Sequence, residues 1–409
     1  MSESDVNQRL RETVRHAYAH SYEVKERFDR AGVGSEDIQG REDLARVPVR
    51  TKDEVIAMQQ SDPPFGGLLA VPMDQISHIF FSPGPLYEPE ADDDQTPFEM
   101  ARMVFEWSGF EPGDVVLNSL SYHLVPAGLL VDRTLADMGC TVVPGGVGNS
   151  DLQLKMMVDL GVTGYAGTPS FLMQLLKKAE EAGYDLNRDL KLKKIVTTAE
   201  PLPLSLRQTF VDQYNLSVGN CYATAELGLL ALDTAGQMAM RLLPEPIIQI
   251  VDPDTGKSVG PGEAGEVVVT NFSRAYPLIR FGTGDLAVKI DANPGASKQE
   301  ERMVILVGRR GEAVKVRGMF VHPNQLRFAM QQVASVSAFQ GTVTRPENRD
   351  VLTVKVVLAE QVTDPEALAD KLKESIRNAC RVRADEIDFV NADDIPSDAP
   401  GMVDGRSWE

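Results

Sequence analysis

The chain has 409 residues, 43% hydrophobic and 25% charged, with a formal net charge of −19. That length predicts two or three domains of ordinary soluble composition, and the acidity argues against a general nucleic-acid or anionic-membrane binder. No apolar run reaches the roughly 18 residues a membrane span needs, and no apolar leader opens the chain, so cytoplasmic residence is the expectation.

Asn7 to Ala31 carries one long polar helix pattern, ending before Gly32. Ile38 to Phe65 reads as short helices and turns. Gln75 to Phe81 reads as a buried strand running into Ser82–Pro89, whose prolines exclude a helix or a central strand. From Thr96 onward, helix and strand patterns alternate. Strands are predicted at Val115–Leu117, Thr141–Val143, Thr163–Ala166, Lys194–Thr197 and Ser217–Tyr222, with an amphipathic helix before each. This predicts an α/β fold with a mostly parallel sheet covered on both faces.

After Glu226 the pattern changes to short strands with tight turns, predicting an antiparallel sheet or small β-barrel-like part. Pro277 to Pro323 contains an acidic turn, Gly282-Thr283-Gly284-Asp285, and later a Gly308-Arg309-Arg310-Gly311 turn. Beyond Arg317 a small α+β domain is expected. The three cysteines, Cys140, Cys221 and Cys380, have neither metal-ligand spacing nor a disulfide pattern and read as buried residues.

In parallel α/β folds, ligands gather at the carboxyl ends of strands. Three loops there mix small residues with a hydroxyl or carboxylate: Ser82–Pro89, Thr197–Pro203 and Tyr222–Gly228. Small residues admit a planar ligand close to the backbone, and a carboxylate can hold a metal-bound phosphate. Singly, each reads more simply as a structural turn.

Together, their order and spacing resemble the adenylate-forming superfamily, in its phenylacetate–CoA ligase-like branch, over nearly the whole chain. Thr198-Ala199-Glu200-Pro201 resembles the family's loop beside adenine. Tyr222 to Glu226 resembles its Tyr-Gly-x-Thr-Glu motif, and Pro277 to Leu286 its Pro-Leu-Ile-Arg-Tyr-x-Thr-Gly-Asp-Leu motif. The resemblance implies a large N-terminal AMP-binding domain (1–308), a hinge (309–312) and a small mobile C-terminal α+β lid (313–409). It further implies that Tyr222 stacks on adenine in a pocket shaped by Ala199, Glu200, Pro201 and Ala223. Glu226 would serve Mg²⁺, Asp285 and Arg309 would hold the ribose, and Ser82 and Gly84 would remain from the phosphate cradle. His78 occupies a position the family fills with His, open between catalysis and a structural bond. Tyr122 and Ala127 are candidates to line the acid pocket, Tyr122 being equally readable as core.

The implied reaction joins a small, aryl-favoured carboxylic acid to CoA through an acyl-adenylate made from ATP, with Mg²⁺, in a homodimer. Three departures qualify it. The phosphate loop has three prolines, no Lys and an added Glu88; Ala223 and Ala225 replace Gly and Thr; and Met402 falls where the family has a catalytic Lys, with Arg406 four residues on. The alternatives are a degenerate member that binds AMP, acyl-adenylate or acyl-CoA without adenylation, or one that runs only acyl transfer.

Overall fold

Five strands run parallel in the order Thr141–Pro144, Val115–Asn118, Gly164–Gly167, Lys194–Thr197 and Ser217–Thr224. These come from a computed structural model that describes residues 3–82, 86–91, 94–185, 188–260, 262–317, 319–344, 346, 350–359, 364–380 and 382–406. The two-residue alternation of side chains fixes which faces are covered. Leu117, Tyr165, Ile195 and Val218 pack with Leu154, Met157, Leu172, Leu175 and Phe210. Val116, Ala166, Val196 and Cys221 pack with Met100, Val104, Phe105, Val131 and Leu135. Helices therefore cover both faces: Ser150–Asp159 and Pro169–Glu181 on one, Thr96–Trp107 and Ala127–Asp137 on the other. That is the α/β arrangement expected. Beyond the parallel strands, Gly228–Asp233 and then Met240–Leu242 add antiparallel.

The chain divides into two compact units. The first comprises Met1–Ile248, Val269–Phe281 and Ala292–Val304; the second comprises Gln249–Val268, Gly282–Asp291 and Ile305–Glu409.

In the first unit, the single helix expected over Asn7–Ala31 is two helices, Glu3–His20 and Tyr22–Arg30. Ser21 separates them. Its backbone is extended (φ −104°, ψ 117°), its hydroxyl accepts the Val24 N–H at 3.3 Å, and the same hydroxyl donates to Gly67 O at 2.9 Å. A capping serine is neutral in a helical pattern, so the break is not visible in periodicity.

Ser82–Pro89 also differs from expectation. Leu86–Glu90 is a strand, antiparallel to His78–Ser82, so the segment is a β-hairpin rather than an irregular loop. Proline is tolerated because the ribbon has only two strands, with Pro89 opposite Ile79. Nor is the first strand buried throughout: Phe80 and Ser82 face inward, whereas Ile79 and Phe81 are exposed. Gln59 holds the hairpin. Its side chain accepts the Tyr87 N–H at 2.8 Å and donates to Tyr87 O at 2.8 Å and to the Tyr276 hydroxyl at 2.9 Å.

In the second unit, a four-stranded sheet has the order Glu386–Phe389, Val351–Leu358, Val336–Thr344, Met402–Asp404. The central pair is antiparallel and both outer pairs are parallel. Helices Pro323–Gln331 and Pro365–Cys380 bury Leu326, Ala329 and Met330, and Leu372 and Ile376, with Val343, Val354 and Val356. The expected acidic turn at Gly282–Asp285 lies inside a strand, Phe281–Ile290, where Gly284 takes φ +77°. The segment around Met402, read as loop, is a strand.

Arg280 is 1% exposed within the first unit. Its guanidinium donates to Leu44 O (3.2 Å), Ala45 O (3.3 Å) and Val47 O (2.7 Å), and its own N–H donates to the Thr270 hydroxyl at 2.9 Å. Replacing it with Met removes the donor from the buried Val47 carbonyl and one of the two donors from that of Leu44. We expect R280M to lose about 3 kcal/mol of stability, read from urea unfolding.

Candidate functional site

The loop after Ser217–Thr224 carries Glu226 at the carboxyl end of a parallel strand. Glu226 is paired with Lys52, whose Nζ lies 2.5 Å from Oε1, and the Glu226 side chain is only 5% exposed. Lys52 opens helix Lys52–Ser61, and Thr51 and Glu54 form a reciprocal cap at that same end. The cation beside Glu226 thus comes from far away in the chain. No sequence motif links the two.

Glu88 lies on the hairpin and is 8% exposed. Among the described residues, neither carboxyl oxygen has a hydrogen-bond partner of ordinary geometry, although the Ser82 hydroxyl is close enough to ease its ionisation. Burial, reinforced by the Glu226 charge, pushes its pKa from 4.5 up to about 7, against the pull of Ser82 and Lys52. Glu88, Glu226, Phe80, Phe98, Phe272 and Tyr276 line a cavity of about 140 Å³ in the first unit. In the sequence Glu88 is only a charge added to the phosphate loop; its burial depends on the hairpin.

The other site residues of this unit fall as follows. Ser82 is 1% exposed at the inner end of the hairpin, and Gly84 lies outside the described residues. His78 stands at the opposite end of the ladder. It is half exposed, stacked on Phe80 at 5.8 Å, with Nδ1 3.8 Å from Glu90, and it does not line the cavity. Tyr222 is 9% exposed, and the strand bulges between Tyr222 and Ala223. Ala199 has φ +70°, and Glu200 and Pro201 follow it. The Glu200 carboxylate accepts the Ser170 N–H at 2.6 Å, at the start of helix Pro169–Glu181, so it caps that helix. The Tyr122 hydroxyl donates to Asp132 Oδ2 at 2.7 Å and accepts from Asn118 at 2.8 Å. Burial and the Asp132 carboxylate push its pKa upward. Ala127 begins the helix that follows.

The second unit holds Asp285 and Arg309. Arg309 Nε lies 2.8 Å from Asp285 Oδ1, and its Nη1 donates to Thr283 O at 3.3 Å. The Thr283 hydroxyl accepts the Asp285 N–H at 3.1 Å, and Glu266 accepts the Gly284 N–H at 3.1 Å, so two side chains hold the backbone there. Arg310 reaches Asp254 (3.4 Å) and Glu266 (3.5 Å). Glu312 instead meets His322, with Oε2 2.9 Å from Nε2, while His322 Nδ1 accepts the Asn324 N–H at 3.1 Å. That assignment leaves Nε2 as the ring's donor. His322 is fully buried, and burial lowers its pKa against the opposing pull of Glu312. Gly308 has φ +142°, and a Cβ there would stand 2.1 Å from the His322 ring.

Met402, where the resemblance implies a Lys, is 5% exposed and belongs to the core with Leu326, Phe339 and Val343. Its sulfur lies against Gly341, where an added Cβ would meet it at 2.4 Å. Arg406 is also committed: its side chain is 6% exposed and paired with Asp404 (2.6 Å) and Asp350 (3.3 Å). Among the described residues, no helix is long and apolar enough to cross a membrane, and no cluster of three or more His, Cys, Asp or Glu is arranged to hold a metal.

Comparison with known proteins bears on this geometry. Residues 98–273 match the family model described as AMP-binding enzyme. The chain is 27% identical over 398 residues to a phenylacetate-coenzyme A ligase of Aromatoleum evansii, covering 92% of this chain and 88% of that protein. It is 28% identical over 370 residues to a phenylacetate-coenzyme A ligase of Escherichia coli (strain K12), covering 86% and 82%. In fold it is similar to 2-hydroxyisobutyryl-CoA ligase solved with 2-HIB-AMP and CoA, with TM-score 0.84, 22% identity, and 98% and 91% of the two chains covered.

Two outcomes follow from the buried groups. The folded pKa of Glu88 lies above its value of 4.5 in the free chain, so the folded state keeps the proton longer. Its effect on stability therefore worsens between pH 4.5 and about 7. We expect E88Q to melt with wild type at pH 4.5 and above it at pH 8, by calorimetry. Placing a cation in the core at 402 should destabilise: M402K is expected to lose about 3 kcal/mol or more of stability and to gain no activity.

Proposed function

We propose, for a chain that belongs to the adenylate-forming superfamily, that it is an acid–CoA ligase acting on a small, aryl-favoured carboxylic acid. One observation carries this reading. The similarity to a phenylacetate-coenzyme A ligase runs over 92% of the chain and so continues well past residue 273, where the AMP-binding model stops. In the reaction, the acid's carboxylate attacks the α-phosphate of ATP and pyrophosphate leaves. The CoA thiol then attacks the acyl carbon, AMP leaves, and the thioester remains.

We assign Tyr222 to the adenine face, with Ala199, Glu200, Pro201 and Ala223 shaping that pocket and Asp285 and Arg309 holding ribose. Ser82 and Gly84 are what remains of the phosphate segment, and Tyr122 and Ala127 line the acid pocket. His78, exposed and beside Glu90, is assigned a supporting role at the hairpin's outer end. Residues 309–312 are the proposed pivot between an AMP-binding domain, 1–308, and a lid, 313–409. Mg²⁺ takes one or two carboxylates plus substrate phosphate oxygens, and Glu226 fits as a single such ligand. When bound, the ion supplies charge neutralisation on the phosphates, while Lys52 supplies a fixed positive charge beside Glu226. A cytoplasmic homodimer completes the proposal, with the dimer checked by light scattering.

A second reading is favoured by Glu88 and Met402. A buried carboxyl stands next to Glu226, and the position of the family's cation is filled by core. Under that reading, the chain binds AMP, an acyl-adenylate or acyl-CoA without making the adenylate, or runs only the transfer step. Incubation with ATP, Mg²⁺ and a panel of aryl acids, without CoA, separates the two. The ligase reading expects pyrophosphate release with at least one acid; measurable AMP binding with no release from any acid sinks it. D285A is expected to weaken AMP binding by about tenfold or more, from the loss of charge-assisted hydrogen bonds to ribose.

A further inference from the structure

Adenylation needs positive charge where the phosphates gather negative charge, and the expected sources have changed in this chain. Residues 78–90 contain no Lys or Arg. Met402 is core, and Arg406 is paired with Asp404 and Asp350. Arg9, against Phe272 in the first unit, is paired with Glu245. Lys52 is placed differently. Its ammonium lies 2.5 Å from Glu226, and its side chain is 29% exposed where that of Glu226 is 5%. The pair therefore presents its positive partner to solvent. Among the described residues, Glu226 is the carboxylate within ion-pair reach of Lys52. An ammonium carries three donors, so contact with one carboxylate oxygen leaves others for a ligand. Further along the same helix, Gln59 bonds both backbone groups of Tyr87 at 2.8 Å. One helix thus fixes the ammonium relative to the hairpin, where the resemblance implies the phosphates.

We propose that Lys52 is the catalytic cation of adenylation, donating to a phosphate oxygen of ATP in place of the Lys that the resemblance implies. This rests on the ligase reading. In that step an oxygen of the acid's carboxylate bonds to the α-phosphorus. The bond from that phosphorus to its bridging oxygen breaks, and the electron pair leaves on pyrophosphate. Lys52 keeps its proton throughout and offsets the charge that gathers on the phosphates. Glu226 holds the ammonium at the site before ATP arrives, so little reorganisation remains when charge develops.

The test is calorimetric titration with ATP and with adenosine, in Mg²⁺ and without an acid, so that nothing turns over. K52M should bind ATP about tenfold or more weakly than wild type, with adenosine affinity unchanged. K52R, which keeps the charge, should recover part of the loss. A second pair of variants separates phosphate contact from neutralisation of Glu226. K52M/E226Q should bind ATP about tenfold or more weakly than E226Q. Equal affinity of those two means that Lys52 acts only through Glu226, and overturns the proposal. So do equal losses for ATP and adenosine in K52M, or a wild type that does not bind ATP. If K52M does not fold by circular dichroism, labelling of wild type with acetic anhydride decides. ATP should shield Lys52 from acetylation, read by peptide mass, and adenosine should not; equal labelling with both overturns the proposal. Pyrophosphate release by K52M at the wild-type rate, with ATP affinity unchanged, keeps the ligase reading and overturns this one. Weakened ATP binding in K52M, with no pyrophosphate from any acid in wild type, upholds the phosphate contact and overturns the ligase reading.

Discussion

A buried guanidinium must find acceptors, and much of the first unit is arranged around that constraint at Arg280. Its side chain draws together three carbonyls at the end of the 3-10 helix Arg41–Arg46, those of Leu44, Ala45 and Val47. Its backbone carbonyl accepts the Arg50 N–H at 2.9 Å, next to the cap that starts helix Lys52–Ser61. That helix delivers two side chains to the site: Lys52 to Glu226 and Gln59 to the hairpin. One charge satisfied by backbone thus sets the position of both the cation and the clamp, and through the clamp that of Ser82 and Glu88. Arg is suited to this because one planar group can serve several carbonyls at once and does not lose its charge at ordinary pH.

Much of the fold was legible in the sequence, because its strongest signals are periodic. The five parallel strands and the helices between them lie near the predicted positions, since short apolar runs alternate with amphipathic ones from Thr96 to Thr224. What escaped depends on single polar contacts or on distant partners. Ser21 ends one helix by capping the next. Pro89 suits a two-stranded ribbon as well as a loop, and only pairing with Ile79 decides between them. Gly282–Asp285 reads as a turn by composition but continues a strand, because Thr283 and Glu266 hold its backbone. In the site, the motif residues could be named from their order, whereas Lys52, Gln59 and Tyr276 carry no local signature.

Two of the three departures from the pattern that the resemblance implies are different in kind. At the hairpin, the change is electrostatic: a buried acid sits close to another acid, and burial together with that neighbouring charge raises its pKa. At Met402 the change is one of packing. The residue has joined a hydrophobic core whose neighbours, Leu326, Phe339 and Val343, are apolar, and Arg406 is bound into a carboxylate pair of its own. A site can recover from the first by a change of ligand or pH. The second is locked by the stability of the unit that contains it.

Gly308 and His322 share one volume. The space a side chain at 308 would need is filled by an imidazole that also receives the Asn324 N–H and meets Glu312. The two positions therefore cannot drift independently. A larger residue at 308 is tolerated only after His322 has become smaller, and a smaller residue at 322 first gives up the contact with Glu312. Among descendants of this chain, the pair should change together or not at all, and the order of substitution is constrained: 322 must yield before 308 can grow.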